Sequence, residues 1–229
     1  PNRSPDAGRV MQVAIIGAGP VGLISGLALA ESGHSVRIFD PSTEKPKMSL
    51  ALAESTLGML SELGMGEIPG EDLTEIHISE RAVRGSAVLS ASELGFARFG
   101  RVVCSHAVES ALGKVALRWV EPKTVAQVRA RGAQTPPQVV LDDGEQVTPD
   151  LVILADGGRS PLTESLGFVA QKRPFDRTAV LGRVHISRPI LGRAYERFVG
   201  TGPLALLPLS DGLYGFVWSL TPSVATATT

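Results

Sequence analysis

The segment Val13-Ala14-Ile15-Ile16-Gly17-Ala18-Gly19-Pro20-Val21-Gly22 decides the fold of this chain. Its first four residues form a short apolar run that ends at glycine, which predicts a strand buried on both faces. A helix is predicted next, because Leu23, Leu27 and Ala30 recur at helical spacing. Val36-Arg37-Ile38-Phe39 then predicts a second strand. Strand, helix and strand within about 30 residues have the size of a βαβ unit.

The glycines of this segment match the pattern G-x-G-x-x-G between a strand and a helix. Gly17 makes the tight turn, Gly19 lets a pyrophosphate approach the backbone, and Gly22 lets the helix lie close to the sheet. The first turn of the helix offers N–H groups and a partial positive charge to phosphates. Asp40, 18 residues after Gly22, ends the second strand, where a carboxylate accepts hydrogen bonds from ribose hydroxyls. The predicted adenine-dinucleotide site consists of Gly17, Gly19, Pro20, Val21, Gly22 and Asp40.

The rest of the chain is richer in strand patterns than in helix patterns. Helices are predicted over residues 50–63 and 106–117. Strands are predicted over residues 76–79, 86–89, 139–141, 146–147, 151–155, 179–186, 194–198, 204–209 and 213–220. The strand over 151–155 is apolar throughout, so we expect it to be buried on both faces. The sequence therefore predicts an α/β protein in which a βαβ-led domain is interleaved with a β-rich one.

Composition excludes several classes of protein. The 229 residues include 22 Lys+Arg and 23 Asp+Glu, a net charge of −1 that gives no electrostatic footprint for nucleic acid. The single cysteine, Cys104, forms no internal disulfide or zinc site, which favours a reducing, cytoplasmic compartment. The histidines show no metal-ligand spacing, so no metal is predicted, and no apolar run reaches the roughly 20 residues of a membrane span. Residues 1–10 are expected to form a flexible tail.

A second segment, Ala155-Asp156-Gly157-Gly158-Arg159-Ser160, follows the predicted strand over 151–155. Together with the glycine motif, it resembles the FAD-dependent aromatic-ring monooxygenases of the p-hydroxybenzoate hydroxylase type, which carry an A-D-G segment at this place. Residues 76–81 and 195–209 resemble the ubiquinone-pathway branch, the 2-octaprenyl-6-methoxyphenol hydroxylase family. The similarity runs from about Met11 to Ser219.

The resemblance implies a Rossmann-like FAD-binding domain of the p-hydroxybenzoate hydroxylase and glutathione reductase type. This domain would comprise residues 11–72 and 100–167, and a β-rich substrate domain would comprise residues 73–99 and 168–229. The glycine motif and Asp40 would hold the ADP half of FAD. The resemblance further implies that Arg101 lies against the cofactor and His106 near its pyrophosphate, while Asp156 and Gly157 lie near the pyrophosphate and the path of the nicotinamide donor.

The activity implied is FAD- and NAD(P)H-dependent hydroxylation of the phenol ring of a polyprenylated ubiquinone precursor. O₂ would be the co-substrate, and the reaction would pass through a flavin hydroperoxide, so no general base is assigned. A polyprenyl substrate implies an apolar channel and brief contact with a membrane surface, peripheral to the inner membrane. Other ubiquinone-pathway enzymes and a second copy of the chain are the further partners considered, and no nucleic acid is expected.

The sequence stops at Thr229, before the segments that family members use for the ribityl chain and the flavin ring. We therefore expect the amino-terminal portion of a monooxygenase, a truncation that retains little FAD and is inactive alone. Two alternatives stay open at this point: a non-catalytic adenine-dinucleotide-binding fragment, and another FAD oxidoreductase of the same fold. The basic interval of Arg81, Arg84, Arg98 and Arg101 is expected to be a solvated face, with Arg101 alone given a cofactor role, against the alternative of a surface ion pair.

Overall fold

The structure is a computed structural model that describes residues 8–41, 48–130, 132, 135–158, 160–169, 171 and 173–228. Its strands are, in chain order, β1 (Gln12–Ile16), β2 (Ser35–Phe39), β3 (Ser49–Ala53), β4 (Gly70–Leu73), β5 (Glu75–Glu80), β6 (Ser86–Ser90), β7 (Gly100–Cys104), β8 (Val120–Glu121), β9 (Val125–Arg129), β10 (Gln138–Leu141), β11 (Gln146–Val147), β12 (Leu151–Leu154), β13 (Thr178–His185), β14 (Arg193–Val199), β15 (Gly202–Pro208) and β16 (Leu213–Leu220). Its α-helices are α1 (Pro20–Glu31), α2 (Glu54–Glu62), α3 (Ser105–Ala116), α4 (Leu162–Ser165) and α5 (Pro222–Thr228).

The described residues form two compact units. The first unit draws on residues 1–46, 63–65 and 108–171, and the second on residues 47–62, 66–107 and 172–229. Residues 48–62, 66–72 and 100–107 thus pack with the second unit, whereas the predicted FAD-binding domain included them. The strands β3, β4 and β7 of these segments pair with one another, which keeps the segments together.

The first unit is built on a parallel sheet with the strand order β12-β1-β2-β8. The predicted strand–helix–strand unit is confirmed as β1, α1 and β2, with Val13 paired to Val36 and to Leu151. Ile15 and Ile38 are fully buried in this sheet. A Cβ atom added to Gly26 of α1 would lie 2.7 Å from Cδ1 of Ile38, so the missing side chain lets the helix pack closely on the sheet.

An antiparallel sheet of order β11-β10-β9 completes the core of the first unit. The hairpin of β10 and β11 confirms the turn expected around Gly144. Apolar residues of both sheets and of α4 form one buried cluster, which is stabilised by removal of its surface from water. The cluster consists of Ala14, Ile16, Phe39, Val128, Val139, Leu141 and Leu162.

The second unit contains a six-stranded sheet of order β13-β16-β15-β14-β5-β6 and a three-stranded sheet of order β3-β7-β4. In the larger sheet β14 and β5 are parallel, and the other neighbouring pairs are antiparallel. These strands confirm the predicted strands over 76–79, 86–89, 179–186, 194–198, 204–209 and 213–220. Most residues of the edge strands β13 and β6 are exposed.

Two secondary-structure predictions need correction. The helix predicted over residues 50–63 is wrong in its first part, because residues 49–53 form β3 and α2 begins at Glu54. Leu50 pairs with Val103 of β7, and this tertiary pairing overrides the helical preference of leucine and alanine. The strand over 151–155 is confirmed as β12, but it lies at a sheet edge and Leu151 is 39% exposed.

The expected tail falls largely outside the described residues, since residues 1–7 are not described. Arg9 is described, and its guanidinium forms an ion pair of 2.7 Å with Asp150. Across the described part of the chain, none of the helices is both long and apolar enough to span a bilayer.

Candidate functional site: the turn between β1 and α1

Gly17 and Gly22 are held in the turn after β1 by close backbone contacts. Gly17 has a φ of +106°, and a Cβ atom at this position would lie 2.4 Å from the carbonyl oxygen of Ala155. A Cβ atom on Gly22 would lie 1.9 Å from the carbonyl oxygen of Gly17. Neither position has room for a side chain, so both glycines are required by the packing of the turn.

Gly19 differs from its two neighbours in the motif. A Cβ atom added there meets no atom within 4 Å, and its backbone is extended, with φ −70° and ψ 175°. Gly19 is the N-cap of α1, where no side chain caps the helix. Pro20 follows in the first turn, and Val21 is 68% exposed. The missing side chain of Gly19 therefore leaves open space directly at the positive end of a 12-residue helix.

Asp40 lies directly after β2 and reaches the same turn. Its Oδ2 atom accepts a hydrogen bond of 2.6 Å from the N–H of Ala18. Its own N–H donates to the carbonyl oxygen of Glu121, which fixes the backbone at the strand end. The carboxylate thus holds the glycine turn, a contact that the spacing of Asp40 alone did not reveal.

The loop after β12 lies beside the glycine turn. The position of a Gly17 Cβ atom is 2.9 Å from the backbone nitrogen of Asp156. Gly157 and Gly158 both have left-handed backbones, with φ of +72° and +67°. The structure therefore brings the glycine turn and the Asp156 loop together, at the carboxyl ends of neighbouring parallel strands, where α/β sheets bind their ligands.

The Asp156 carboxylate is bound within its own loop. Oδ1 accepts a hydrogen bond of 2.9 Å from the N–H of Gly158, and Oδ2 accepts one from the hydroxyl of Ser160. Partial burial raises the pKa of Asp156, but these hydrogen bonds outweigh it, so the pKa lies below its ordinary value. The carboxylate is ionised at neutral pH, and its hydrogen bonds stabilise the loop that contains Gly157 and Gly158.

Arg101 and His106 belong to the second unit. The Arg101 side chain lies in β7 and is 11% exposed. Its Nε atom donates a hydrogen bond of 2.6 Å to the Asp72 carboxylate, and its Nη1 atom donates one of 2.7 Å to the Glu67 carboxylate. His106 is exposed on the first turn of α3. Both cofactor roles stay predictions, and Arg101 has in addition a structural role.

Arg98 corrects the expectation of a solvated basic face. Its guanidinium pairs with Glu54 and with Asp72, and its side chain is 26% exposed. The hydrogen bond from Arg101 lowers the pKa of Asp72, although burial acts in the opposite direction, and the hydrogen bond from Arg98 lowers the pKa of Glu54. These ion pairs link α2, β4 and β7 of the second unit.

The geometry of the glycine turn fits the ADP part of FAD. The open position at Gly19 admits a pyrophosphate, and the N–H groups at the start of α1 face anions favourably. The Asp40 carboxylate lies at the end of the next strand, where its Oδ2 atom accepts the hydrogen bond from the Ala18 N–H. A dinucleotide therefore has a phosphate cradle and a ribose acceptor on adjacent strand ends.

Comparison with known proteins gives a family match over most of the chain. The model of the FAD binding domain family matches residues 10–203. The chain is similar to ubiquinone hydroxylase UbiL of Rhodospirillum rubrum, at 29% identity over 231 residues, which cover 93% of this chain and 52% of that protein. It is also similar to ubiquinone biosynthesis monooxygenase COQ6 of Danio rerio, at 40% identity over 83 residues, 36% of this chain and 17% of that one. The chain thus spans about half the length of UbiL.

Solved structures confirm the predicted fold class. HpxO of Klebsiella pneumoniae, in complex with FAD and uric acid, matches 92% of this chain and 56% of its own, with a TM-score of 0.77 at 22% identity. PqsL of Pseudomonas aeruginosa, a probable FAD-dependent monooxygenase, matches 96% of this chain and 63% of its own, with a TM-score of 0.79 at 17% identity. Since the family model covers well over half of the chain, this chain belongs to the FAD binding domain family.

Proposed function

We propose that this chain binds the ADP half of FAD in an enzyme that hydroxylates the phenol ring of a prenylated ubiquinone precursor. NAD(P)H is the proposed electron donor and O₂ the co-substrate. The observation that carries the proposal is the contrast within the motif: Gly17 and Gly22 have no room for a side chain, whereas the position beside Gly19 is open. The names of the relatives, ubiquinone hydroxylase and ubiquinone biosynthesis monooxygenase, support the ring substrate.

The proposed roles follow the geometry of the first unit. The turn of Gly17, Gly19 and Gly22, with Pro20 and Val21 at the start of α1, receives the pyrophosphate. Asp40 accepts hydrogen bonds from the ribose hydroxyls through its carboxylate while it holds the Ala18 N–H. Asp156 and Gly157 form the adjacent wall, near the pyrophosphate and the path of the nicotinamide donor. Arg101 and His106 remain proposed cofactor contacts from the second unit.

Bound flavin supplies the redox chemistry, accepting electrons from the nicotinamide and activating O₂ toward an electron-rich ring. The residues of this chain bind and orient the cofactor, and no side chain is assigned a proton-transfer role. The six-stranded sheet of the second unit is the proposed wall for the ring and for the polyprenyl tail. Its apolar, half-exposed residues, such as Leu207 and Val217, suit a hydrocarbon chain.

The replacement Gly19→Val tests the phosphate cradle. A side chain at this position occupies the place of the pyrophosphate but meets no protein atom, so the fold should survive. We expect ADP and FAD affinity to fall by at least about 2 kcal/mol, roughly thirtyfold in Kd, in isothermal calorimetry. Gly58→Val in α2 is the matched control, because Gly58 is also open to solvent and lies in the second unit. Equal ADP affinity in Gly19→Val and Gly58→Val would remove the motif from the proposal.

The replacement Asp40→Ala tests the ribose contact. We expect ADP binding to weaken by about 1.5–3 kcal/mol, the usual range for hydrogen bonds to a charged group. Asp40→Asn keeps one acceptor oxygen for the Ala18 N–H, so it separates the ribose contact from support of the turn. A loss of only a few tenths of a kcal/mol in Asp40→Ala would move the ribose contact to another residue.

The ring substrate is tested with FAD-reconstituted protein. Oxidation of NADPH that depends on an added polyprenyl phenol, together with a hydroxylated product in mass spectrometry, supports the proposed reaction. Phenol-independent NADPH oxidation favours another FAD oxidoreductase of the same fold. Tight ADP binding without any oxidation is the result expected both of an amino-terminal portion that is inactive alone and of a nucleotide-binding fragment without catalysis.

A further inference from the structure

Three exposed segments lie at one end of the six-stranded sheet. The carboxyl ends of the parallel strands β5 and β14 lie side by side, and the turn that follows each of them extends from the same end. The start of β13 is also at this end, because Thr178 pairs with Leu220 and a guanidinium nitrogen of Arg177 donates to the carbonyl oxygen of Thr201 at 3.0 Å. We refer to residues 80–85, 173–177 and 196–201 together as the sheet-end surface.

The sheet-end surface exposes large apolar side chains from each of its segments. Phe175 is 87% exposed, Val83 is 56% exposed and Phe198 is 48% exposed. Single exposed apolar residues are common on protein surfaces, but one from each of three adjacent segments is a grouping that marks interaction sites. An occupant that covers these side chains removes their apolar area from water.

The charges of the same surface are mainly positive. Its segments contain five arginines against three carboxylates, in a chain whose net charge is −1. Within the described part of the chain, the arginines of this surface have no carboxylate partner within 4.0 Å, whereas Arg98, Arg101 and Arg193 of the same unit are ion-paired. The five are Arg81, Arg84, Arg173, Arg177 and Arg197.

A shallow pocket opens between two of the turns. Its volume is about 300 Å³. Phe198 and Val199 give it an apolar wall, and Arg81 and Glu80 border it with charge. The Arg81 backbone is fixed there, because its N–H donates to the carbonyl oxygen of Phe198 at 2.8 Å. The pocket is therefore lined by both apolar and charged residues.

We propose that the sheet-end surface docks the protein onto an anionic membrane surface. The exposed side chains of Val83, Phe175 and Phe198 insert into the boundary between headgroups and acyl chains, while the arginines of the surface bind lipid phosphates. A nucleic acid or an acidic peptide would use the arginines but would leave the exposed apolar tips without a role. The biological purpose rests on the proposed function, since a polyprenyl substrate resides in the bilayer, but the docking itself does not depend on that function.

Vesicle flotation of the 229-residue chain tests the docking surface directly. Vesicles of phosphatidylcholine alone are compared with vesicles of equal parts phosphatidylcholine and phosphatidylglycerol. We expect binding to the mixed vesicles that weakens as salt is raised. The double replacement of Arg81 and Arg84 by Gln should lower the affinity roughly tenfold or more, at about 1 kcal/mol per basic residue near the surface. The replacements Phe175→Ser and Phe198→Ser together should weaken binding at every salt concentration.

The matched control uses the opposite end of the same sheet. Phe96 is 58% exposed and Leu191 is 83% exposed, and they lie beyond the end of β6 and before the start of β14. The double replacement of these residues by Ser should leave vesicle binding unchanged. ADP affinity, measured on every variant, should also be unchanged, which separates failure of the docking surface from failure of the proposed nucleotide site.

Three results would overturn the docking proposal. One is failure of the unaltered chain to bind the mixed vesicles. Another is equal loss of binding in the sheet-end variants and in the opposite-end control. The third is concentration-dependent dimerisation that the sheet-end variants abolish without any vesicle binding, which would assign the surface to a second copy of the chain.

Discussion

The strands β1 and β13 are both rich in apolar residues, yet they have opposite burial. In β1, Val13, Ala14, Ile15 and Ile16 are all buried, whereas most of β13 is exposed, including Leu181 at 59%. The difference lies in what covers the faces of the two strands. Ala14 and Ile16 pack against residues of β9, β10 and α4, and Ile15 lies beside Gly26 of α1, whereas β13 is an edge strand of its sheet with mostly exposed residues. Apolar sequence therefore predicts a strand, but its position in the sheet decides how much the strand contributes to stability.

The largest expected effect contrasts one residue from each of these strands. Ile15→Ala should lower the free energy of unfolding by about 2–5 kcal/mol, because Ile15 is fully buried and a cavity is left behind. Leu181→Ala should change it by less than about 0.5 kcal/mol, because most of that side chain is already in water. Urea unfolding followed by circular dichroism measures both. Equal losses of unfolding free energy in the two variants would show that β13 is buried in solution, and would contradict the difference in burial between β1 and β13.

The next effect concerns the turn that follows β1. Gly22→Ala should lower the free energy of unfolding by about 1–3 kcal/mol, since the new methyl group would lie 1.9 Å from the carbonyl oxygen of Gly17. Gly19→Ala places a methyl group in open space and should have a much smaller effect on unfolding. Thermal unfolding of the pair, with ADP added and absent, distinguishes packing from binding. Similar losses for both glycines without ADP would contradict the assigned roles.

The strand–helix–strand unit and the individual strands of the six-stranded sheet could be predicted, because the hydrophobic patterns of these elements are local. Apolar runs that end at glycine or proline give the strands their boundaries without knowledge of their partners. By contrast, β4 and β7 were missed and β3 was taken for helix, because Gly70–Leu73, Gly100–Cys104 and Ser49–Ala53 become strands only through mutual pairing. Local sequence does not contain that information.

The candidate site divides in the same way. The glycines and Asp40 were predicted from spacing and Asp156 from the family resemblance, and the structure brings Gly17 and the backbone of Asp156 together. The hydrogen bond from Ala18 to Asp40 and the ion pairs of Arg98 join residues 22 to 44 positions apart in the sequence. A short sequence pattern therefore cannot predict these contacts. The pairing of β4 with β7 brings Asp72 close to Arg98 and Arg101.

An intermediate effect is expected at Tyr214, a fully buried residue of the six-stranded sheet. Its hydroxyl donates to the carbonyl oxygen of Ile190 at 3.0 Å and lies 3.2 Å from that of Arg193, and burial raises its pKa. Tyr214→Phe should lower the free energy of unfolding by about 0.5–1.5 kcal/mol, because the hydrogen bond from the hydroxyl to the Ile190 carbonyl oxygen is lost. Phe198→Leu, at a half-exposed position, is the control and should have little effect. If Tyr214→Phe is neutral, this sheet is as tolerant at a buried position as at a half-exposed one.

The smallest effect is a pH dependence in the three-stranded sheet of the second unit. The hydrogen bond from Arg101 keeps the pKa of Asp72 below its ordinary value of 3.8, against the opposing effect of burial. A carboxyl whose pKa is lower in the folded state stabilises the fold above its unfolded pKa, and this contribution is lost as the pH falls through the folded value. We therefore expect the free energy of unfolding to decrease as the pH falls from about 5 towards 2.

Asp72→Asn isolates this contribution. The variant should be less stable than the unaltered chain at pH 7, and the difference should shrink as the pH falls, since the protonated Asp72 of the unaltered chain has lost the same charge. The effect should be modest because the Asp72 side chain is 43% exposed and water weakens its ion pairs. Urea unfolding at a series of pH values provides the measurement, with Asp142→Asn as a comparison at an exposed position in the first unit. Parallel curves for Asp72→Asn and the unaltered chain would mean that the Arg101 pair contributes nothing to the acid sensitivity of the fold.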